Sequence, residues 1–237
     1  MFCYFWAMVY SSTGPWFASL FEEMTSVLGP NVTRERVVLT TSFSMEDQIL
    51  TWAVLKAGLD VDLVSLDTGC LFPATRQTWK ATEDHFGIEV RALLPDPKEV
   101  VDFKKTSGLS SIYESVESRK ACCAMRKIRP LKAACAGKDW WITGLRSNQS
   151  ANRAQMSNVE DAPGWGLKKF HPLLNWSDQE VEAALVKTGV PVNPLYAMGY
   201  PSIGCAPCTR PVLPHEDARA GRWWWEQSSK ECGLHRG

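Results

Sequence analysis

Residues 118–130 read SRKACCAMRKIRP, so that two adjacent cysteines, Cys122 and Cys123, lie between basic side chains. Neighbouring thiols make a poor structural disulfide, because so small a ring strains the geometry an S–S bond requires. A second pair, Cys205 and Cys208, stands in CAPC, and Cys232 lies five residues from the end in KECGLHRG. Cys3, Cys70 and Cys135 stand alone. No apolar run approaches the roughly 20 residues that span a bilayer. The opening MFCYFWAMVY lacks a basic n-region and a small-residue cleavage site, so a cytoplasmic protein is expected. Eight cysteines in such a compartment stay reduced, which turns attention from disulfides to metal binding or thiol chemistry. Lys230, His235 and Arg236 favour the Cys232 thiolate, as a nucleophile requires. The plain alternative is a stray thiol on a terminal segment.

These groups need a scaffold, and the hydrophobic pattern supplies one. RVVLTTSF (36–43), VDLVSL (61–66), GIEVRALL (87–94) and DWWITGL (139–145) read as strands, separated by helical patterns. MEDQILTWAVLKAG follows the first, and a polar helix from about Ala74 to His85 the second. The double cysteine is expected at the start of a helix running to about Ala136, with a kink at Pro130. A later helix opens at WSDQEVEAALVKTG, with capping-box spacing from Ser177 to Glu180 and a stop at Gly189. Alternation of this kind implies an α/β fold with a doubly wound parallel sheet, in one large domain. Ligands of such sheets bind beyond the carboxyl ends of the strands. The loops there, TTSFSMEDQ, SLDTGCLFP and TGLRSNQSANR, offer hydroxyls, backbone N–H groups and guanidinium forks to a phosphate-like anion. Each alone could be an ordinary turn. Formal charge balances, 26 basic against 26 acidic side chains, so any anion site is local and neither nucleic acid nor membrane is expected as a partner. No Walker or GxGxxG sequence occurs.

Taken in order, TSFSMEDQ, SLDTGCLFP, CCAMRKIRPL, WITGLRSNQSANR, KFHPLLNW, PVNPLYAMGYPSIGCAPCTRPV, GRWWWE and KECGLH resemble the assimilatory adenylylsulfate and phosphoadenylylsulfate reductases, from about residue 36 onward. The resemblance implies a fold similar to the N-type ATP pyrophosphatases, an adenine nucleotide over the strand ends, and reduction of a sulfonucleotide to sulfite with release of AMP. Loop one, SFSMED, is not the glycine-rich pyrophosphatase sequence, consistent with a reductase that does not cleave ATP. Ala74 stands where the family commonly carries glutamate.

The same resemblance implies roles. Cys122, Cys123, Cys205 and Cys208 supply the four thiolates of a [4Fe–4S] cluster, as in the branch that uses adenylylsulfate; an all-thiolate zinc site is the alternative. Cys232 attacks the sulfate sulfur, and thioredoxin or a similar dithiol then releases sulfite. Lys127 lies between cluster and substrate, and Arg146, Arg153, Arg219 and Arg222 hold the phosphosulfate. Ser42, Phe43, Ser44, Asp67, Thr68 and Gly69 line the nucleotide, with His235 as a further substrate contact. Trp223 to Trp225 are expected to pack a lid. His85, His171 and His215 are read as structural, and Cys70 and Cys135 as buried hydrophobes. Residues 35–215 form the α/β domain with its iron–sulfur site, and 216–237 a mobile tail carrying the nucleophile. Residues 1–34 have no assigned role, an oligomer contact among those open.

Overall fold

The computed structural model describes residues 15–29, 32–108, 110–149, 153 and 155–226. Cys232 and His235, and with them residues 227–237 of the expected tail, lie outside the described residues.

Strands β1 (Val37–Thr40), β2 (Asp62–Leu66), β3 (Arg91–Leu93), β4 (Trp140–Ile142), β5 (Val159–Ala162) and β6 (Leu167–Phe170) form one sheet in the order β3-β2-β1-β4-β6-β5. All neighbouring pairs are parallel except β5 with β6. The sheet is thus doubly wound and mainly parallel, with one antiparallel edge. The β5–β6 hairpin was not among the four expected strands. Its signal was the turn Pro163, Gly164, Gly166 between two short alternating segments, a pattern weaker than the long apolar runs beside it.

Both sheet faces are buried, and alternate strand residues divide between two cores. Val37, Leu39, Leu63, Ile142 and Phe170 face one layer, formed by α1 (Pro15–Leu28), α2 (Met45–Lys56), α3 (Pro73–Phe86) and α7 (Asp178–Thr188). Val38, Val64, Leu93, Trp141 and Leu167 face the other, with Leu131, Ala134 and Cys135 of α6 (Arg129–Cys135). Cys135 is a buried hydrophobe as expected, its thiol pushed up to about 12 by burial. Helix α1 belongs to the part of the chain without an expected role. Phe17 and Phe21 fix it against Trp52 of α2, with ring centres 4.5 and 5.6 Å apart. Helix α7 opens with the expected Ser177–Glu180 capping box and ends at Gly189 in the left-handed region. Helix α4 (Pro97–Thr106) follows β3, was not among the expected helices, and buries no residue fully. Among the described residues no helix is long and apolar enough to cross a membrane.

The double cysteine sits elsewhere in its helix than expected. Helix α5 (Val116–Cys123) starts earlier, capped by the Ser115 side chain, and Cys122 and Cys123 form its last turn. A π-helical turn, Ala124–Ile128, follows and leads into α6, where Pro130 is near the first position. The wider turn, with Arg129 N–H donating to Ala124 O, absorbs the break that proline imposes. It also turns Arg126 and Lys127 to a face that a continuous α-helix would not give them.

Candidate active site and cysteine cavity

In the strand order the chain steps from β1 outward to β3 and returns to the other side of β1 with β4. That switch point is where an open α/β sheet leaves a crevice. A cavity of about 700 Å³ occupies it. The loop after β1 forms one wall. Phe43 is buried there with φ +59°, a conformation bulky side chains rarely adopt. Its N–H donates to Thr41 Oγ1 (3.0 Å) and its ring packs 5.1 Å from Trp79. Ser44 caps α2 by accepting the Asp47 N–H at 3.2 Å, and Asp47 accepts both the N–H (2.6 Å) and hydroxyl (2.7 Å) of Ser42.

Asp47 is deeply buried, which pushes its carboxyl up to about 6 despite those hydrogen bonds. A folded-state value above the unfolded one means that the protonated form is favoured by folding. The associated stability is complete below about pH 4 and lost as pH rises through about 6. Buried His171, lowered to about 4 chiefly by burial, acts in the opposite sense over the same window. Asp47→Asn is therefore expected to remove a loss of up to about 3 kcal/mol between pH 4 and 6.5. Denaturant unfolding of variant and wild type at each pH checks it, and a pH-independent difference contradicts it.

Of the expected substrate residues, Ser42, Phe43, Ser44, Thr68, Lys127, Arg146, Arg153, Arg219 and Arg222 all line this cavity. Asp67 and Gly69 do not. The Asp67 carboxylate is held by two bonds from Arg76 (2.9 and 3.0 Å) and accepts the Gly69 N–H at 3.0 Å, so it shapes the loop. Arg146 is buried and engaged on three sides, donating to Glu46 (2.8 Å) and the Trp176 carbonyl (3.1 Å), with Asp178 at 2.7 Å. It is a fixed strut of the wall, and Glu46 is a partner the sequence did not reveal. Arg222 is buried with Nη1 3.2 Å from Ser202 Oγ, and its guanidinium occupies the space a side chain at Gly204 would take. A methyl at Gly204 would fall 2.6 Å from Arg222 Cζ. Gly204→Ala is expected to swing this side chain out while leaving the fold intact. KM should rise tenfold or more, because a hydrogen bond to a charged group contributes about 1.5–3 kcal/mol; an unchanged KM would contradict the placement.

A second cavity, of about 360 Å³, adjoins the first. Cys122, Cys123, Cys205 and Cys208 all line it, drawing together two segments about 80 residues apart. Cys70 lines it too and is half-buried, so it is not the core residue expected. Lys127, Cys205 and Trp223 line both cavities. The Thr68 hydroxyl lies 3.3 Å from Cys205 Sγ, and Ala206 N–H donates to Cys70 O at 2.8 Å. Burial would raise the Cys205 thiol, but Lys127, the Thr68 hydroxyl, Arg222 and Arg126 bring it below the ordinary thiol value. Cys208, buried beside Cys205 and Cys123, is pushed up to about 12. Among the described residues, no three Cys, His, Asp or Glu side chains converge as ligands of one ion would.

Arg119, unnoticed in the sequence, lies one helical turn before Cys123 and makes two 2.7 Å bonds to Glu226, both side chains almost wholly buried. Residues 209–226 fold back on the CAPC loop through the Thr209–Arg222 bridge and the Trp223 N–H to Cys208 O (3.2 Å). Trp223 is buried in the wall between the cavities and is no lid; Trp224 and Trp225 pack on Tyr113.

Comparison with known proteins agrees with this geometry. The profile of the "Phosphoadenosine phosphosulfate reductase domain" matches residues 36–211. "Adenosine 5'-phosphosulfate reductase" of Allochromatium vinosum is 45% identical over 203 residues, 85% of this chain and 79% of that protein. The Sinorhizobium fredii protein of the same name is 46% identical over 201 residues, 84% of this chain and 80% of its own. Among solved structures, phosphoadenylyl-sulfate (PAPS) reductase from Candida auris in its phosphate complex matches with a TM-score of 0.65 at 26% identity, covering 80% of this chain and 88% of that one. Yeast FAD synthetase with FAD, at 16% identity and a TM-score of 0.58 over 86% and 68% of the two chains, shares the fold. With a profile match from the first strand to beyond the CAPC loop, and a switch-point cavity on an adenine nucleotide alpha hydrolase-like sheet, the chain belongs to the phosphoadenosine phosphosulfate reductase family.

Proposed function

We propose that the protein reduces adenylylsulfate to sulfite and AMP in sulfate assimilation, through an S-sulfonate on Cys232 and with a [4Fe–4S] cluster on Cys122, Cys123, Cys205 and Cys208. The observation that carries this is the shared wall: a cavity lined by arginines at the nucleotide switch point meets a cavity lined by four cysteines at Lys127 and Cys205. The names of the relatives supply the nucleotide. The four thiols supply the donor set of a cluster, and the vicinal pair Cys122–Cys123 departs from the CxxC-like pairs that zinc sites use on both sides. Of the residues lining that cavity, Trp223 has a buried Nε1–H with no acceptor among the described residues, and Arg119 and Arg126 hydrogen-bond the Cys123 and Cys122 thiols. They suit a group rich in sulfide and thiolate acceptors. When bound, the cluster supplies a fixed charge distribution against the substrate site, and its iron need not change oxidation state.

The protein's own residues then do the chemistry. Arg153, Arg219, Arg222 and Lys127 bind the phosphosulfate, and Ser42 to Ser44 and Thr68 line the nucleotide. The Cys232 thiolate attacks the sulfate sulfur; the S–O bond to AMP breaks, and AMP leaves with the electron pair on its phosphate, where the cations stabilise it. A thiolate of thioredoxin or a similar dithiol attacks Cys232 Sγ, releasing sulfite, and its second thiol frees Cys232 as the partner becomes a disulfide. In this scheme residues 35–215 supply most of the binding site, and 216–237 add Arg219 and Arg222 and carry the nucleophile. Glu182 and Asp217 also line the cavity, and carboxylates there would oppose the further phosphate of the 3′-phosphorylated form.

Intact-mass measurement after anaerobic incubation of cluster-loaded protein with adenylylsulfate tests the scheme. A gain of about one SO3 unit (about 80 Da) is expected on wild type and not on Cys232→Ser, with sulfite released on adding thioredoxin. An adduct formed only with the 3′-phosphorylated nucleotide would change the substrate. No adduct with either would favour a non-catalytic metal-thiolate protein.

A further inference from the structure

Trp223 is clamped between two guanidinium groups, Arg119 on the cysteine side and Arg222 on the nucleotide side, each 4.7 Å from its ring centre. Its backbone has φ +41°, which a bulky residue keeps only where its surroundings over-determine it. Those surroundings are specific. Trp223 N–H is tied to Cys208 O, Glu226 N–H donates to Trp223 O at 2.8 Å, and Glu226 locks Arg119 with two bonds. Arg222 and Trp223 line the nucleotide cavity; Arg119 and Glu226 do not. Glu226 also stands six residues before Cys232, so the chain from this fixed point reaches at most about 20 Å.

We propose that the Arg119–Glu226 ion pair positions the reaction's parts without touching substrate. It holds Trp223, and through it Arg222, against the nucleotide cavity, and it fixes the point from which the segment carrying Cys232 departs. The inference rests on the reading of Cys232 as nucleophile. A short tether with a fixed origin raises the effective concentration of the thiolate at the sulfate, and an origin that wanders by an ångström or two loses much of that advantage.

The test uses cluster-loaded, full-length protein and compares single-turnover S-sulfonation, iron content and thermal midpoint in wild type, Glu226→Asp, and a chain with Gly-Gly inserted after Glu226. Glu226→Asp retains the charge but shortens the arm. It is expected to keep its iron and to sulfonate about 100-fold more slowly. The insertion leaves the pair intact, guarding against failure of the first variant to fold, and is expected to slow sulfonation only about 1.5-fold, with iron and thermal midpoint unchanged. Loss of rate only in proportion to loss of iron, or undiminished rates in both variants, overturns the inference while the wild-type adduct stands. Absence of the wild-type adduct overturns the nucleophile reading and this inference with it.

Discussion

Lys127→Ala is expected to lower kcat/KM by about 10²–10³, the effect of removing one fixed donor from a site where charge develops. The reason is its place: Lys127 is the half-buried cation that lines both cavities, and it bears on Cys205 and Cys208 as well as on the anion site. Its position is set by the π-helical turn, which leaves Arg126 donating to Thr68 O at 2.7 Å and frees Lys127 to face the shared wall. The thiols are untouched in this variant, so iron content should match wild type while S-sulfonation slows. Lys127→Arg keeps the charge but spreads it over a planar fork, and should recover part of the loss. A fall of less than about threefold, with cluster intact, would remove Lys127 from the chemistry.

Cys205→Ala should have the second large effect, seen first in iron content. Loss of supporting contacts around a metal group typically costs 10–100-fold in affinity, and loss of a ligand should exceed about 100-fold. Cys205 also joins the two halves of the site: Thr68 from the β2 loop touches its sulfur, and the CAPC loop hangs from Cys70 O. An alanine there would remove a sulfur on which Lys127, Arg222 and Arg126 all bear. Two controls sharpen the result. Cys135→Ala changes a thiol buried in the core behind the sheet, and Cys70→Ser a thiol in the same cavity outside the assigned four. Both should retain iron, measured by chelation and by the visible absorbance of the cluster. Iron loss in Cys70→Ser equal to that in Cys205→Ala would require the ligand set to be redrawn.

Much of the fold was legible because its signals are local. Val37 to Thr40, Asp62 to Leu66 and Trp140 to Ile142 are short apolar runs flanked by helical patterns, and the order of such runs already dictates parallel crossovers. The Ser177 capping box and Gly189 could be read because both ends of a helix are written within a few residues. The hairpin at β5 and β6 was missed because its two short strands carry no long apolar run, and helix α4, which buries no residue fully, was missed beside it.

The site divides in the same way. Residue types alone nominated the cysteines, the arginines and the serine-rich loop, since thiolates, guanidinium forks and hydroxyls are recognisable wherever they stand. The sequence by itself therefore determined the alternation of strands and helices, the chemistry on offer, and the loops that carry it. Tertiary structure decided which of these groups work together. Asp67 turned inward to Arg76, Arg146 became a strut between Glu46 and Asp178, and Cys70 joined the cysteine cavity. Arg119 found Glu226 across 107 residues, and Trp223 became the partition between two cavities. The pairs Arg146–Glu46 and Arg119–Glu226 close over about a hundred residues of chain, where no periodicity records them. Both are buried pairs, fixed by the competing demands of burying a charge and giving it a partner, which only the packed chain can meet.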